Sequence, residues 1–146
     1  MHILMTGGTG LIGTATCAAL YAAGHKLTIL TRRGRPATND VTYVTALEDC
    51  AEPVDAVINL AGAGLADRRW SGAYKRQIVM SRVDLTRELV AWLGKLEQTP
   101  KRLISASAIG YYGAAGEQTF AEDGAPGSGF AATLCQFWEN EAASAT

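Results

Sequence analysis

Residues 5–13 read MTGGTGLIG, four glycines in nine residues. Glycine loses more backbone freedom on folding than any other residue, so such a run is unfavourable unless close approach to the backbone is what it provides. Gly8, Gly10 and Gly13 spell G-x-G-x-x-G, and Gly7, Gly10 and Gly13 spell G-x-x-G-x-x-G. The motif follows an apolar run at 2–6 and opens a helical pattern at 11–24, the context that gives it weight. A turn without side chains lets a pyrophosphate reach backbone N–H groups, and the helix N-terminus aims unpaired donors at that anion. Gly13 lets the helix lie close against the strand. The expected ligand is a dinucleotide. A P-loop is excluded, because Thr14 and no lysine follows the last glycine.

Which dinucleotide is expected follows from the next strand. An NAD site offers an acid to the ribose about 20 residues past the glycines, and an NADP site offers arginine. Here Arg32 and Arg33 stand 19 and 20 residues past Gly13, and Thr31 ends the strand. Two guanidiniums grip a 2′-phosphate bidentately, where an acid would repel it. The reading is NADP rather than NAD.

The elements that must carry these residues alternate. Apolar runs at 2–6, 26–31, 41–45, 54–62 and 102–107 read as strands. Helical patterns occupy 11–24, closed by Gly24, then 72–97, then the segment from Phe130 onward. The long helix carries an apolar stripe, Ile78, Leu85, Leu89, Leu93 and Leu96, with Ser71 placed as its N-cap and Pro100 marking its exit. A loop rich in Gly, Glu and Asp spans 110–129. Strands alternating with helices imply parallel βαβ units: an α/β, Rossmann-type, doubly wound sheet in one domain over 1–146.

Composition sets the outer bounds. A content of 48% hydrophobic residues suffices for an ordinary core. A net charge of −1 argues against a broad nucleic-acid surface. Two local basic clusters suit a small phosphorylated ligand: Arg32, Arg33 and Arg35, then Arg68, Arg69, Lys75, Arg76, Arg82 and Arg87. No apolar window is long enough for a membrane span, and the N-terminus lacks a secretory pattern. Cys17, Cys50 and Cys135 are odd in number and without metal-ligand spacing, so free thiols in a reducing cytoplasm are expected, with no metal.

TGGTGLIG, NLAG at 59–62 and SASAIGYYG at 105–113 together resemble the extended short-chain dehydrogenase/reductase superfamily. Residues 59–83, with Arg69, Trp70, Ser71, Lys75, Ser81 and Arg82, resemble its epimerase-like subfamily, associated with NAD(P)-dependent sugar-nucleotide epimerases. The resemblance implies that Thr6, Gly7, Gly8, Thr9, Gly10, Leu11, Ile12 and Gly13 hold the pyrophosphate. It places Asn59, Leu60, Ala61 and Gly62 beneath the cofactor, with Ser105 and Ala106 also at the cofactor. Ser107 would bond a substrate hydroxyl or carbonyl, Ser105 being the alternative, and Tyr111 and Tyr112 would face the same cleft.

Three departures accompany the resemblance. The superfamily carries a Tyr-x-x-x-Lys pair for proton transfer, and here Phe130 stands for the tyrosine and Leu134 or Cys135 for the lysine. Arg82 replaces the superfamily's usual asparagine. Members continue through a sixth strand and a C-terminal substrate region to about twice this length, so the chain is expected to be their N-terminal part. Two functions follow as expectations. One is an NADP-dependent oxidoreductase or epimerase-like enzyme acting on a small hydroxyl or carbonyl compound, with Tyr111 or Tyr112 as stand-in proton donor and Lys75 a further candidate. In that reading Trp70 covers the nicotinamide or substrate, or else staples the helix start. The other is a catalytically silent NADP-binding module. A homodimer through the helices at 72–97 and 130–146 is the expected assembly.

Overall fold

The computed structural model describes residues 1–38, 40–114 and 116–145. Ala115, within the expected loop, and Thr146, at the end of the last expected helix, lie outside them. The strands His2–Thr6 (β1), Lys26–Leu30 (β2), Val41–Val44 (β3), Ala56–Asn59 (β4) and Arg102–Ser105 (β5) form one parallel sheet, ordered β3-β2-β1-β4-β5. The helices are Leu11–Ala22 (α1), Gly72–Val79 (α2), Leu85–Leu93 (α3) and Phe130–Ala143 (α4), with short 3₁₀ turns at Leu47–Asp49 and Ile109–Tyr112. The expected Rossmann-type fold is the fold observed.

Register decides where the chemistry can be. Thr6 pairs with Leu30 and Asn59, Leu30 with Val44, and Asn59 with Ser105, so all five strands end in one row. The chain therefore leaves the sheet at Gly7, Thr31, Leu60 and Ala106 along a single edge. Strand order reverses between β1 and β4, and in open α/β sheets ligands bind in the crevice at that point.

Apolar side chains cover both faces of the central strands. Leu4 and Val57 pack with Leu89, Trp92 and Leu93 of α3, while Ile3, Leu27 and Ile29 pack with Cys17 and Leu20 of α1. A third cluster joins Tyr74, Ile78 and Val83 to Leu134 and Trp138 of α4. Gly24, at φ +76°, ends α1 in the left-handed conformation that a C-terminal cap requires. Ser71 caps α2 as expected, its Oγ accepting from the Tyr74 N–H at 3.2 Å.

The helix expected over 72–97 is not continuous. A π turn, Met80–Asp84, separates α2 from α3, and regular helix ends at Leu93. Buried positions run Tyr74, Ile78, Val83, Thr86, Leu89, Trp92 and Leu93, and the step of five between Ile78 and Val83 is the residue the wider turn inserts. Leu85 is consequently only half-buried, and Leu96 packs against the core from the loop beyond. β4 is also shorter than the apolar run at 54–62, because beyond Asn59 the chain leaves the sheet to pass the glycine turn. Among the described residues, no helix is long and apolar enough to cross a membrane, and no cluster of three or more His, Cys, Asp or Glu could hold a metal ion.

Candidate functional site

The glycines of the first turn do different jobs. Gly7 has φ +69°, and a Cβ there would stand 2.5 Å from the Leu60 carbonyl oxygen, so it serves both a left-handed turn and a close crossing of β1 by the end of β4. A Cβ on Gly13 would run into the Gly7 carbonyl, and one on Gly8 would come within 2.9 Å of Ile29 Cγ2. Gly10 differs: a Cβ there would meet only the Gly7 oxygen, at 3.3 Å. It is the N-cap of α1, and no side chain caps the helix. Leu11 and Ile12, in the first turn, are 94% and 67% exposed. The helix end is thus open on the side Gly10 presents, with no side-chain cap among the described residues.

Thr31, Arg32 and Arg33 lie just past β2 on the same edge. The Thr31 N–H donates to Val44 O at 2.9 Å, fixing where the strand ends, and both arginines are exposed. Neither is in an ion pair among the described residues. Arg35 instead lies 5.9 Å from the centre of the Tyr43 ring.

Thr6, Asn59 and Ser105 meet in a buried polar network under the row of strand ends. The Ala61 N–H donates to Thr6 Oγ1 at 3.1 Å, and Thr6 donates to Asn59 Oδ1 at 2.6 Å. Asn59 Nδ2 reaches Thr86 Oγ1 at 2.8 Å and Ser105 Oγ at 3.1 Å, and the Trp138 indole donates to Thr86 at 3.1 Å. Thr6, Asn59 and Thr86 are buried, so such groups must be satisfied internally, and here they are. Their side chains lock three strands to α3 and α4 and so hold the edge on which a ligand would rest. Thr86 and Trp138 escaped the sequence reading, although Trp138 follows Phe130 and Leu134 at four-residue steps.

The serine and tyrosines expected to share a cleft are not bonded to one another. Ser107 donates to the carboxylate of Glu139 on α4, a partner 32 residues away that no local pattern announces. Tyr112 donates its hydroxyl to Ala121 O at 2.9 Å and stacks on Phe120 with ring centres 4.8 Å apart. Tyr111 meets Tyr112 edge-on, and its carbonyl accepts from the Gly127 N–H at 2.9 Å. The two tyrosines thereby tie Phe120, Ala121 and Gly127 back to the turn at Ile109–Tyr112.

At the positions where the resemblance implies a phenol and an ammonium, α4 carries Phe130, against Trp70 with centres 5.5 Å apart, and Leu134, buried in the third apolar cluster. Lys75 Nζ sits 5.1 Å from the centre of the Phe130 ring. Trp70 donates to Leu65 O at 2.8 Å, so Trp70, Lys75 and Phe130 form one group at the start of α2 and α4. Cys135 is buried, and burial, then the charge of Glu139, raise its thiol above the ordinary range. Arg82, in the π turn, lies over the Trp138 ring at 5.4 Å, and burial pushes its guanidinium below the usual arginine range.

Comparison with known proteins places this geometry in context. The model of the NAD dependent epimerase/dehydratase family matches residues 3–144. The epimerase family protein YfhF of Bacillus subtilis is 39% identical over 149 residues, covering 97% of this chain and 49% of its own. The human epimerase family protein SDR39U1 is 33% identical, covering 95% of this chain and 48% of its own. A crystal structure of human SDR39U1 (isoform 2) with NADPH superposes with a TM-score of 0.84 at 30% identity, over 97% of this chain and 48% of that one. The chain spans about half the length of these relatives. With a five-stranded parallel sheet, a glycine turn at its central strand and a family model matched almost end to end, the chain belongs to the NAD dependent epimerase/dehydratase family.

Proposed function

We propose that the chain binds NADP along the C-terminal edge of the sheet. The protein is then an oxidoreductase or epimerase-like enzyme acting on a hydroxyl or carbonyl of a small molecule, with nucleotide sugars the class that the resemblance to the epimerase-like subfamily implies. The observation that carries this reading is the open turn at Gly10. Room beside its Cα and an uncapped helix end fit a diphosphate, which needs backbone donors at contact distance. Arg32 and Arg33, exposed beyond β2, are the groups assigned to a 2′-phosphate. That a related human protein was crystallised with NADPH supports the assignment. Three free cysteines fit a reducing compartment, the cytoplasm.

When bound, the dinucleotide supplies hydride donation or acceptance at its nicotinamide ring. The chain's share is to hold the substrate oxygen and move its proton. Phe130 carries no proton, Leu134 is a buried aliphatic side chain, and Tyr112 would have to release Ala121 to serve. Ser107 is already donated to an acid. A substrate hydroxyl can pass its proton to Ser107 Oγ as the serine's own proton moves to the Glu139 carboxylate, and the reverse delivers a proton to a carbonyl. Self-association through α2, α3 and α4, where Met80 and Phe137 are exposed apolar side chains, belongs to the same proposal and is checked by sedimentation.

A second reading is favoured by the aromatic and aliphatic side chains at Phe130 and Leu134: a module that holds NADP without turnover. Fluorescence titration with NADPH and NADH separates the cofactors. Preference for NADPH, lost when Arg32 and Arg33 become Ala, is the expected result, and equal affinity defeats the NADP assignment. Loss of NADPH absorbance with pooled carbonyl compounds then identifies the enzyme. Tight binding without turnover identifies the module when the same assay is run on a chain extended by the C-terminal half that the relatives carry.

A further inference from the structure

We propose that Arg82 positions the coenzyme, its guanidinium donating to an oxygen of the nicotinamide-side half between the ends of β4 and β5. The inference rests on the dinucleotide reading above and adds a residue and a contact to it.

The π turn is what aims this side chain. Its Ser81 accepts from the Ala63 N–H at 2.9 Å and donates to Ile78 O at 3.0 Å, so the turn is tied to the strip leaving β4. The guanidinium lies across Gly62, where a Cβ would stand 2.7 Å from Cζ and 2.8 Å from Nη2. Its face is set 5.4 Å from the centre of the Trp138 ring. No carboxylate pairs with Arg82 among the described residues, and its buried Nη1 has no hydrogen-bond partner.

An N–H cut off from water with nothing to receive it is unfavourable, and more so on a cation. Acids were within the fold's means. Arg87, five residues on and exposed, is bonded to both Asp84 and Glu141. The better-desolvated arginine is the one left without an acid, as expected of a group completed by a ligand.

Strand order says which part of the ligand. Arg32 and Arg33 lie on the β2 side of the glycine turn, and Gly62 lies on the β4 side, two residues past the Leu60 carbonyl that touches Gly7. A dinucleotide with its diphosphate over the turn and its 2′-phosphoadenosine toward β2 extends its other half toward Gly62. The ribose hydroxyls and diphosphate oxygens of that half are acceptors of the kind a guanidinium fork takes.

Affinities of the chain for NADPH and for adenosine 2′,5′-bisphosphate, which lacks the nicotinamide-side half, test this by calorimetry in wild type, Arg82→Met and Arg82→Lys. The methionine variant is expected to bind NADPH about tenfold or more weakly and the bisphosphate within about twofold of wild type, with lysine between. Its ligand-free melting temperature is expected to hold or rise, since the unpartnered N–H is gone. Unchanged NADPH affinity, equal weakening of both ligands, or a lowered ligand-free melting temperature with the ratio of affinities unchanged would overturn the proposal. Wild type binding neither ligand would instead defeat the dinucleotide reading on which it rests.

Discussion

Gly13 and Gly10 occupy neighbouring places on one helix end, yet an alanine at each acts mainly on a different property, stability at Gly13 and ligand affinity at Gly10. Replacing glycine by alanine inside a helix ordinarily stabilises by about 1 kcal/mol. At Gly13 the new methyl would meet the Gly7 carbonyl, backbone that cannot move aside without opening the turn. Gly13→Ala is therefore expected to destabilise by roughly 1–3 kcal/mol despite helix propensity, read from thermal or urea unfolding. At Gly10 the backbone is extended, at φ −83°, and the new methyl would make a tight but not overlapping contact, 3.3 Å, with the same Gly7 oxygen. With alanine also the poorer N-cap, Gly10→Ala should cost about 1 kcal/mol and still fold, losing less than Gly13→Ala. Its methyl takes the space assigned to the diphosphate, and NADPH affinity should fall in fluorescence titration. The thiols add a pH dependence. Cys17, Cys50 and Cys135 are all raised above the ordinary thiol range, chiefly by burial. The folded chain then holds protons that the unfolded chain has released. This stabilisation is complete below the ordinary thiol range and is lost as pH rises through the folded values. Melting temperature should decline above about pH 9, and iodoacetamide labelling at pH 8, followed by mass spectrometry, should be slower for the folded than the unfolded chain.

The π turn is the element whose removal separates fold from site. Deleting Met80, an exposed residue of the turn, restores the four-residue step from Ile78 to the next buried position, so α2 and α3 merge into ordinary helix. Circular dichroism should show helix retained and thermal unfolding little changed. Ser81 and Arg82 would rotate off the 62–64 strip, and NADPH affinity should drop as in Arg82→Met. The same turn shows what could be seen in the sequence. The stripe through Leu85 fits regular helix, and nothing in apolar spacing alone distinguishes it from the observed path through Val83 and Thr86. Strands, the glycine motif and Ser71 were legible because each is a local pattern of adjacent residues. The Asn59 network joins residues 27, 46 and 53 positions away, and Ser107 finds Glu139 across 32, so those contacts exist only once the sheet has set its register. β4 looked longer than it is because Leu60 and Ala61 stay apolar after they stop pairing.

Across the whole molecule, a net charge of −1 conceals an uneven distribution. Among the described residues, Arg32 and Arg33 make no ion pair past β2, while Lys26 and Arg87 are paired with Glu52, Asp84 and Glu141. These two arginines lie along the same sheet edge as the open helix end, so a ligand bridging them and that end couples β2, β1 and β4 and must stabilise the whole domain. At a hundred times its dissociation constant, NADPH should add about 2.7 kcal/mol, raising the melting temperature by roughly 5–10 °C for a domain of this size. Arg32→Ala with Arg33→Ala removes only exposed side chains, so the ligand-free temperature should stay put, while the shift at the same NADPH concentration shrinks. Raising salt from low concentration to about 0.5 M should shrink the wild-type shift toward that of the double variant, because screening acts on exposed charges. NADH should give the smaller shift in wild type and equal shifts in wild type and double variant. If NADH and NADPH raise the wild-type temperature alike, the paired arginines are not what selects the coenzyme.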